Sequence, residues 1–192
     1  LTNTDPVKTA RYPQFDWPRI VAPYIGPDDK GNPRPVEALE ALSLEGAEKA
    51  FASYGPDIAA CIVEPIQSEG GDHHFRPEYL QALQRITHAH DALFIVDEVQ
   101  TGVGMTGTAW AYQQLGLEPD IVAFGKKTQV CGIMAGGKLD EISDHVFAVS
   151  GRLNSTWGGG LTDRVRAKHI LAAIETDGLI EHAAEVGGWL LA

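Results

Sequence analysis

Short continuous apolar runs alternate along this chain with segments in which apolar residues recur every three or four positions. Continuous runs are typical of strands buried on both faces, and the three-to-four spacing is typical of helices. The predicted strands are 58–63, 93–96 and 121–124, with 130–135 as a further candidate. The predicted helices are 36–54, 77–90, 108–115 and 163–174. Strands that alternate with helices predict an α/β fold with a mostly parallel sheet and right-handed crossovers.

The pattern is different before residue 36, where neither period is visible. Prolines stand at 6, 13, 18, 23, 27, 33 and 35, and such density is incompatible with regular helix. The aromatic residues Tyr12, Phe15, Trp17 and Tyr24 lie between them. We therefore predict that 1–35 is an irregular arm whose aromatic side chains pack on a neighbouring surface. A proline-rich recognition segment is the minor alternative.

Composition and charge narrow the classes of partner and location. The 192 residues are 44% hydrophobic with a net charge of −11, which disfavours nucleic acid and anionic membrane surfaces as partners. The two cysteines, Cys61 and Cys131, have no metal or redox spacing, so we expect free thiols in the cytoplasm. The chain begins at Leu1 and ends in an apolar stretch, 187–192. We expect it to be an internal piece of a longer polypeptide.

Two residues that follow predicted strands are the strongest candidates for chemistry. Asp97 ends the run 93–96, and Lys126 comes just past the run 121–124. Ligands of open α/β sheets bind at the carboxyl ends of the strands, so the two side chains would hold opposite ends of one cofactor. A lysine amine that condenses with an aldehyde, and a carboxylate that keeps a ring nitrogen protonated, are what pyridoxal phosphate requires. The alternative is a helix-capping or arginine-paired Asp97, with Lys126 and Lys127 as solvated charges.

Three other patterns suggest sites that their context does not support. Residues 102–107 spell GxGxxG, but a dinucleotide fingerprint needs its first glycine directly after the strand, and five residues intervene here. We expect these glycines to let a loop cross close to a ligand or another chain. The histidines at 73, 74, 88 and 90 lack metal-ligand spacing, so we predict solvated side chains and no metal site. Ser155 and Thr156, ahead of Gly158, suit a phosphate, although a flexible turn explains them equally well.

Four motifs taken together resemble the class III (ω-amino acid) aminotransferases of fold type I. They cover most of residues 58–160 in the family's order. The motifs are Val63-Glu64-Pro65-Ile66-Gln67, Phe94-Ile95-Val96-Asp97-Glu98-Val99-Gln100-Thr101-Gly102, Phe124-Gly125-Lys126 and Ser155-Thr156-Trp157-Gly158-Gly159. The resemblance implies that 36–150 is the core of the large cofactor-binding domain, with helices on both faces of the sheet. It implies that 151–192 is a phosphate-contacting loop and a helix that lead towards a C-terminal domain.

The resemblance also implies a role for each candidate residue. Asp97 would pair with the ring nitrogen of pyridoxal 5'-phosphate, Val99 would pack on the ring, and Gln100 would reach the ring hydroxyl. Lys126 would be the Schiff-base lysine and the proton shuttle.

The remaining candidates concern the phosphate and the substrate. Thr156, with Ser155 beside it, would bind the cofactor phosphate of the neighbouring subunit, so a homodimer would carry its sites at the interface. Glu69 would be the gating glutamate that lets one site accept an amine or an α-carboxylate, and Glu64 would support its loop.

Within the family, the stretch after Lys126 departs from the usual glycine-rich sequence. Residues 127–136, together with 152–157, resemble the lysine 6-aminotransferase branch. Those enzymes transfer the ε-amino group of L-lysine to 2-oxoglutarate, giving 2-aminoadipate 6-semialdehyde and glutamate. The alternatives are another ω-aminotransferase, acting on ornithine, 4-aminobutyrate or a diamine, and a non-catalytic scaffold homologue. Because the family's phosphate loop and its gating arginine lie outside these residues, we expect the isolated chain to be inactive or nearly so.

Overall fold

The computed structural model describes residues 6–13, 15–28, 30–153, 155–156 and 158–192. They form two compact units. The first unit comprises Leu1–Phe94 and Leu115–Leu117, and the second comprises Ile95–Gln114 and Glu118–Ala192. The division at Phe94 falls inside the span 36–150 that the resemblance treats as one domain core.

The first unit carries three of the eight predicted elements, in the predicted order. Its helices are α1 (Pro6–Thr9), α2 (Val36–Tyr54) and α3 (Pro77–Ala89), and its strands are β1 (Ala60–Val63), β2 (Ile66–Gln67) and β3 (His73–His74). A 3-10 turn at Gly55–Asp57 follows α2, and β2 pairs antiparallel with β3. The helices predicted at 36–54 and 77–90 are confirmed. The expectation of no helix before residue 36 is wrong at α1, which begins at Pro6, where a missing N–H costs nothing.

Helix α2 buries two polar residues in addition to Ala47 and Phe51, which belong to its apolar pattern. Leu42 is 50% exposed, whereas Glu40 and Ser43 are buried. The hydroxyl of Ser43 donates to the carbonyl of Val21 over 2.6 Å and lies 2.8 Å from the hydroxyl of Tyr79 on α3. Polar partners therefore explain why Glu40 and Ser43 join the buried face of α2, because buried polar atoms need hydrogen bonds.

Three strands form the sheet of the second unit. These are β4 (Leu93–Asp97), whose first two residues belong to the first unit, β5 (Ile121–Phe124) and β6 (Gly132–Ala135). The strand order is β1-β4-β5-β6, with β5 parallel to β4 and β6 antiparallel to β5. In this register Asp97 lies opposite Ala123. The mostly parallel α/β sheet predicted from the sequence is confirmed, with β6 as its antiparallel edge.

The other elements of the second unit are helical. They are α4 (Ala111–Gln114), a 3-10 turn (Gly137–Glu141), α5 (Leu161–Thr176) and α6 (Leu179–Leu191). Phe94 and Val96 of β4 are fully buried, and Val122 of β5 is nearly so. In contrast, α5 has no buried residue, and Val165, which the helical period places towards a core, is 49% exposed. The strand predicted as buried on both faces also differs, since Ile62 of β1 is 39% exposed.

Within the described ranges, every helix is too short or too polar to cross a membrane.

Candidate active site

Asp97 is the last residue of β4, so its side chain lies at the edge of the sheet where that strand ends. Its main chain is fixed by the parallel pairing with Ala123 on β5. One carboxylate oxygen, Oδ1, accepts a hydrogen bond of 3.1 Å from the main-chain nitrogen of Val99. The side chain is half-buried. The aspartate is therefore oriented by its own turn, at the strand end where a ligand of an α/β sheet is expected.

Glu98 anchors the loop that follows β4. The residue is 1% exposed, and its carboxylate accepts three hydrogen bonds. The donors are the hydroxyl of Thr101 at 2.6 Å and the main-chain nitrogens of Ala111 at 3.0 Å and Tyr112 at 2.7 Å. Its own main-chain nitrogen donates to the carbonyl of Ala123 over 2.9 Å. A buried carboxylate is tolerated only with such partners, so Glu98 fixes the loop on β5 and on the start of α4.

Sequence reasoning gave Glu98 no role of its own, although it lies inside a quoted motif. The available signal was Thr101, three residues on, together with an apolar segment that could begin a helix. That signal is weak, because a glutamate is usually a surface residue.

Two neighbouring lysines converge on Gln100. The amine of Lys126 donates to the side-chain oxygen of Gln100, and the amine of Lys127 donates to its main-chain carbonyl. Lys126 is exposed and Lys127 is half-buried. Burial, and then the charge of Lys126, lower the pKa of Lys127, while the charge of Glu98 opposes them. The structure thus brings together Lys126 and Gln100, two of the residues that the sequence predicts for the site.

The turn that presents the two lysines is held from within. The buried hydroxyl of Thr128 lies 2.8 Å from the carbonyl oxygen of Gly125 and 2.7 Å from that of Val130, so its single proton can be donated to either. A Cβ on Gly125 would lie 2.9 Å from the sulfur of Cys131 and 3.6 Å from Val99. The contact with Cys131 disfavours any side chain at Gly125, whereas the distance to Val99 is an ordinary van der Waals contact.

The glycines of the GxGxxG segment face side chains of this same unit. A Cβ on Gly102 would lie 2.5 Å from the ring of Trp110, and one on Gly104 would lie 2.8 Å from Ile180. One on Gly107 would lie 2.8 Å from Cβ of Ala184. These glycines allow the loop to pack against Trp110 and α6. A close approach of the loop to a ligand or another chain stays a prediction.

Ser155 and Thr156 are both exposed. The hydroxyl oxygen of Ser155 accepts a hydrogen bond of 3.0 Å from the main-chain nitrogen of Gly158, which closes a short turn. Two positions of this motif, 154 and 157, lie outside the described residues. The phosphate contact of Thr156 and Ser155 stays a prediction.

The two candidate glutamates belong to the first unit. Glu64 is half-buried directly after β1, and Glu69 is exposed in the turn between β2 and β3. Their roles in gating and in loop support stay predictions.

Two of the four histidines stack on aromatic rings, of which His73 is half-buried and His90 remains exposed to solvent. His73 stacks on Tyr24 with ring centroids 3.5 Å apart, and His90 stacks on Phe51 at 4.5 Å. His90 Nε2 also lies 3.1 Å from a carboxylate oxygen of Glu48. In the part of the chain that is described, no three His, Cys, Asp or Glu side chains are grouped as metal ligands would be.

The residues at the ends of β4 and β5 fit pyridoxal phosphate in their chemistry. They supply an amine on Lys126, a carboxylate held in place on Asp97, an amide on Gln100 and the apolar side chain of Val99. The close approach of Val99 to Gly125 places the apolar group beside the turn that carries Lys126. This set matches the needs of an aldehyde-bearing heterocycle with an ionisable ring nitrogen.

Comparisons with known proteins agree with this chemistry. Residues 16–192 match the family model described as aminotransferase class-III. The L-lysine-epsilon aminotransferase of Mycobacterium tuberculosis is 60% identical over 193 residues, covering 100% of this chain and 42% of the relative. That of Streptomyces clavuligerus is 54% identical, covering 97% of this chain and 41% of the relative. A solved structure of lysine aminotransferase from M. tuberculosis in the internal aldimine form superposes with a TM-score of 0.90 at 59% identity, covering 99% of this chain and 43% of that one.

This chain therefore spans about two fifths of the length of the curated relatives that it matches. The fold, the ordered motifs and the family model agree along most of its residues. The chain belongs to the class-III aminotransferases, a fold type I family of pyridoxal-phosphate-dependent enzymes.

Proposed function

We propose that the complete polypeptide that carries these residues transfers the ε-amino group of L-lysine to 2-oxoglutarate. The products would be 2-aminoadipate 6-semialdehyde and glutamate. The observation that carries the proposal is the contact of Lys126 with Gln100, three residues after Asp97, at the carboxyl ends of two parallel strands. The choice of lysine as the substrate rests on relatives 54–60% identical that are named L-lysine-epsilon aminotransferases.

Pyridoxal phosphate, when bound, supplies an aldehyde that condenses with amines and a protonated ring that accepts electrons. Lys126 would hold the cofactor through its Nζ. Once released by a substrate amine, the lysine would move a proton between the carbon that loses the amino group and the carbon that gains it. The amine of Lys126 is exposed and makes a hydrogen bond to Gln100, so it can exchange this partner for another while the backbone of its turn stays in place. Lys126 is therefore the residue assigned to proton transfer.

Asp97 would keep the ring nitrogen protonated. Its Oδ1 is engaged by the main-chain nitrogen of Val99, which restricts rotation of the carboxylate. A carboxylate held in this way is preorganised, so little orientation has to be fixed when a ring binds. Gln100 would donate from its side-chain nitrogen to the ring hydroxyl while its oxygen faces a lysine amine.

The remaining assignments concern groups away from the ring. Thr156 and Ser155 would bind the cofactor phosphate of a partner subunit, and the assembly would be a homodimer with shared sites. Exposed hydroxyls in a glycine-rich turn support this role, because such turns offer both hydroxyl and amide donors to a phosphate. Glu69 would gate the substrate site, with Glu64 in support. We also propose a cytoplasmic location, in keeping with Cys61 and Cys131, which are both free thiols.

The test uses the complete polypeptide with pyridoxal phosphate, 2-oxoglutarate and a substrate panel of L-lysine, L-ornithine and 4-aminobutyrate. We expect L-lysine to give the highest kcat/KM, and borohydride reduction followed by peptide mapping to place the pyridoxyl label on Lys126. Equal or faster turnover of ornithine would favour another ω-aminotransferase instead. An unlabelled Lys126 in the cofactor-saturated protein would reject the enzyme and favour a non-catalytic scaffold.

The same assay addresses the 192-residue chain by itself. We expect it to be inactive or nearly so with L-lysine, because the resemblance places the family's phosphate loop and gating arginine outside these residues. Semialdehyde formed at the rate of the complete polypeptide would contradict this expectation.

A further inference from the structure

The two lysines that follow β5 differ in what they hold. Lys126 donates to the side-chain oxygen of Gln100, a contact that would be lost when the Lys126 amine reacts with an aldehyde. Lys127 donates to the main-chain carbonyl of the same residue, a contact that does not depend on the Gln100 side chain. We propose that Lys127 is a positioning residue, which ties the loop Asp97–Thr101 to the lysine turn and keeps Gln100 in place while Lys126 changes partners. The proposal rests on the proposed function, because it assigns Lys127 a part in the same site.

The surroundings of Lys127 suit a fixed cation. Its side chain is half-buried, whereas that of Lys126 is exposed. A half-buried ammonium is stabilised when it donates to a carbonyl oxygen, and a charged donor makes a stronger hydrogen bond than a neutral one. Burial and the adjacent Lys126 charge lower the pKa of Lys127, and the Glu98 carboxylate opposes this. The charge of Lys127 is thus supported by one partner, the carbonyl of Gln100, and by one nearby carboxylate.

The loop that Lys127 holds has other attachments, but they lie before and after Gln100 in the chain. Before Gln100, the main-chain nitrogen of Glu98 donates to Ala123 over 2.9 Å. After it, the hydroxyl of Thr101 donates to Glu98 over 2.6 Å. The carbonyl of Gln100 itself is held by Lys127. Removal of that amine therefore frees the carbonyl of Gln100, while both flanks of the loop stay attached.

The turn that presents Lys127 is stiff enough for this purpose. Thr128, the next residue, is buried, and its hydroxyl lies 2.8 Å from the carbonyl of Gly125 and 2.7 Å from that of Val130. The hydroxyl closes the turn around the two lysines, so the amine of Lys127 reaches Gln100 from a fixed base. A ligand-binding loop tied to a rigid turn loses less conformational entropy when the ligand binds.

The first experiment measures the loop without cofactor. Hydrogen exchange of the cofactor-free complete polypeptide is followed in peptides that cover 97–102, in the parent, in Lys127→Met and in Lys127→Arg. Lys168→Met, a change at an exposed position of α5, is the matched control. We expect Lys127→Met to speed exchange at 98–102 about tenfold, as for the loss of one charge-assisted hydrogen bond, and Lys127→Arg to recover most of the protection. Unchanged exchange in Lys127→Met would overturn the proposal.

The second experiment measures binding and turnover in the same variants. For Lys127→Met we expect the dissociation constant for pyridoxal phosphate to rise about tenfold, with kcat at saturating cofactor lowered less than about threefold, while Lys168→Met matches the parent. Equal losses in Lys127→Met and Lys127→Arg, or an unchanged dissociation constant, would contradict a positioning role. A pyridoxyl label on Lys127 in the parent would also overturn it, since Lys127 would then hold the cofactor itself. If the parent carries no label on either lysine, the proposed function fails, and the exchange experiment still decides whether Lys127 holds the loop.

Discussion

The carboxylate of Glu98 accepts a hydrogen bond of 2.7 Å from the main-chain nitrogen of Tyr112, fourteen positions further along the chain. The same carboxylate accepts from Ala111 and from Thr101, and the residue is 1% exposed. This one side chain thereby joins the loop after β4 to the beginning of α4.

Replacement of Glu98 by glutamine should be costly, although the two side chains have nearly the same shape. The amide keeps one acceptor oxygen and places an NH2 group against main-chain N–H donors, so at least one buried donor loses its partner. We expect Glu98→Gln to lower the free energy of unfolding by about 2–3 kcal/mol. Urea unfolding of the protein measures this, and hydrogen exchange at Ala111 and Tyr112 should become faster.

The matched control for Glu98→Gln is the same change at Glu185, an exposed position on α6. Glu185→Gln should leave the urea midpoint within experimental error. If both variants unfold alike, Glu98 is not an anchor of the loop.

A second prediction concerns Gly107, whose φ of +86° lies in the left-handed region. A Cβ there would lie 2.8 Å from Cβ and 2.9 Å from Cα of Ala184, and the latter atom belongs to the main chain of α6. Gly107→Ala therefore combines an unfavourable backbone conformation with a clash that a rotamer change cannot relieve. We expect a loss of about 2–3 kcal/mol in the free energy of unfolding.

Gly137→Ala serves as the control for Gly107→Ala. Nothing lies within 4 Å of a Cβ at Gly137, so the added methyl group has room. A change of less than about 0.5 kcal/mol is expected there, as for an ordinary surface substitution. Equal effects of the two variants would show that the packing of the loop on α6 does not constrain Gly107.

Where the sequence predicts this fold well, the local signal and the tertiary environment agree. The bounds of α2 follow from its periodicity and from Gly55-Pro56 at its end, and β5 coincides with its apolar run. The prediction fails where a polar partner from a distant element decides burial. Leu42 is exposed, and Glu40 is buried because Arg76 donates to its carboxylate from Nε over 2.8 Å.

The candidate site shows the same limit. Asp97 and Lys126 could be predicted because each follows a strand. The contact of Lys126 with Gln100 depends on the parallel register of β4 and β5, which no local pattern encodes. The anchoring by Glu98 was missed for a related reason, since its burial depends on donors from Ala111 and Tyr112.

A third prediction concerns the hydroxyl of Thr128, which closes the lysine turn. Thr128→Val keeps the shape of the side chain and removes the proton that Gly125 or Val130 accepts. We expect the free energy of unfolding to fall by about 1–2 kcal/mol, because a carbonyl oxygen beside a buried side chain loses its donor. In the complete polypeptide the dissociation constant for pyridoxal phosphate should rise as well, since the turn carries Lys126.

Thr128→Ser separates the hydroxyl from the methyl group in this test. The serine hydroxyl can make either hydrogen bond, so Thr128→Ser should restore most of the cofactor affinity that Thr128→Val loses. If Ser and Val weaken binding equally, the methyl group, and not the hydroxyl, holds the turn.

The last prediction is an alkaline loss of stability that originates at Cys61. Burial raises the pKa of this thiol from 9.0 to about 11, while a hydrogen bond with Thr87 acts in the opposite direction. The unfolded chain releases the thiol proton first, so the unfolded state binds fewer protons between these two values and stability falls as the pH rises. The contribution is fully present below pH 9.0 and is lost as the pH approaches 11. By pH 10 the loss should be about 1 kcal/mol.

Urea midpoints at pH 8 and pH 10 test this in the parent, in Cys61→Ala and in Cys131→Ala. Cys61→Ala should flatten the alkaline slope whatever its effect at pH 8, because the variant has no thiol to ionise at that position. Cys131 is exposed, so Cys131→Ala should keep the slope of the parent. Burial also raises the pKa of Tyr79, from 10.0 to about 12, so at pH 10 this residue adds a smaller loss of about 0.4 kcal/mol, which is present in all three proteins. A slope in Cys61→Ala as steep as that of the parent would assign the alkaline loss to another group.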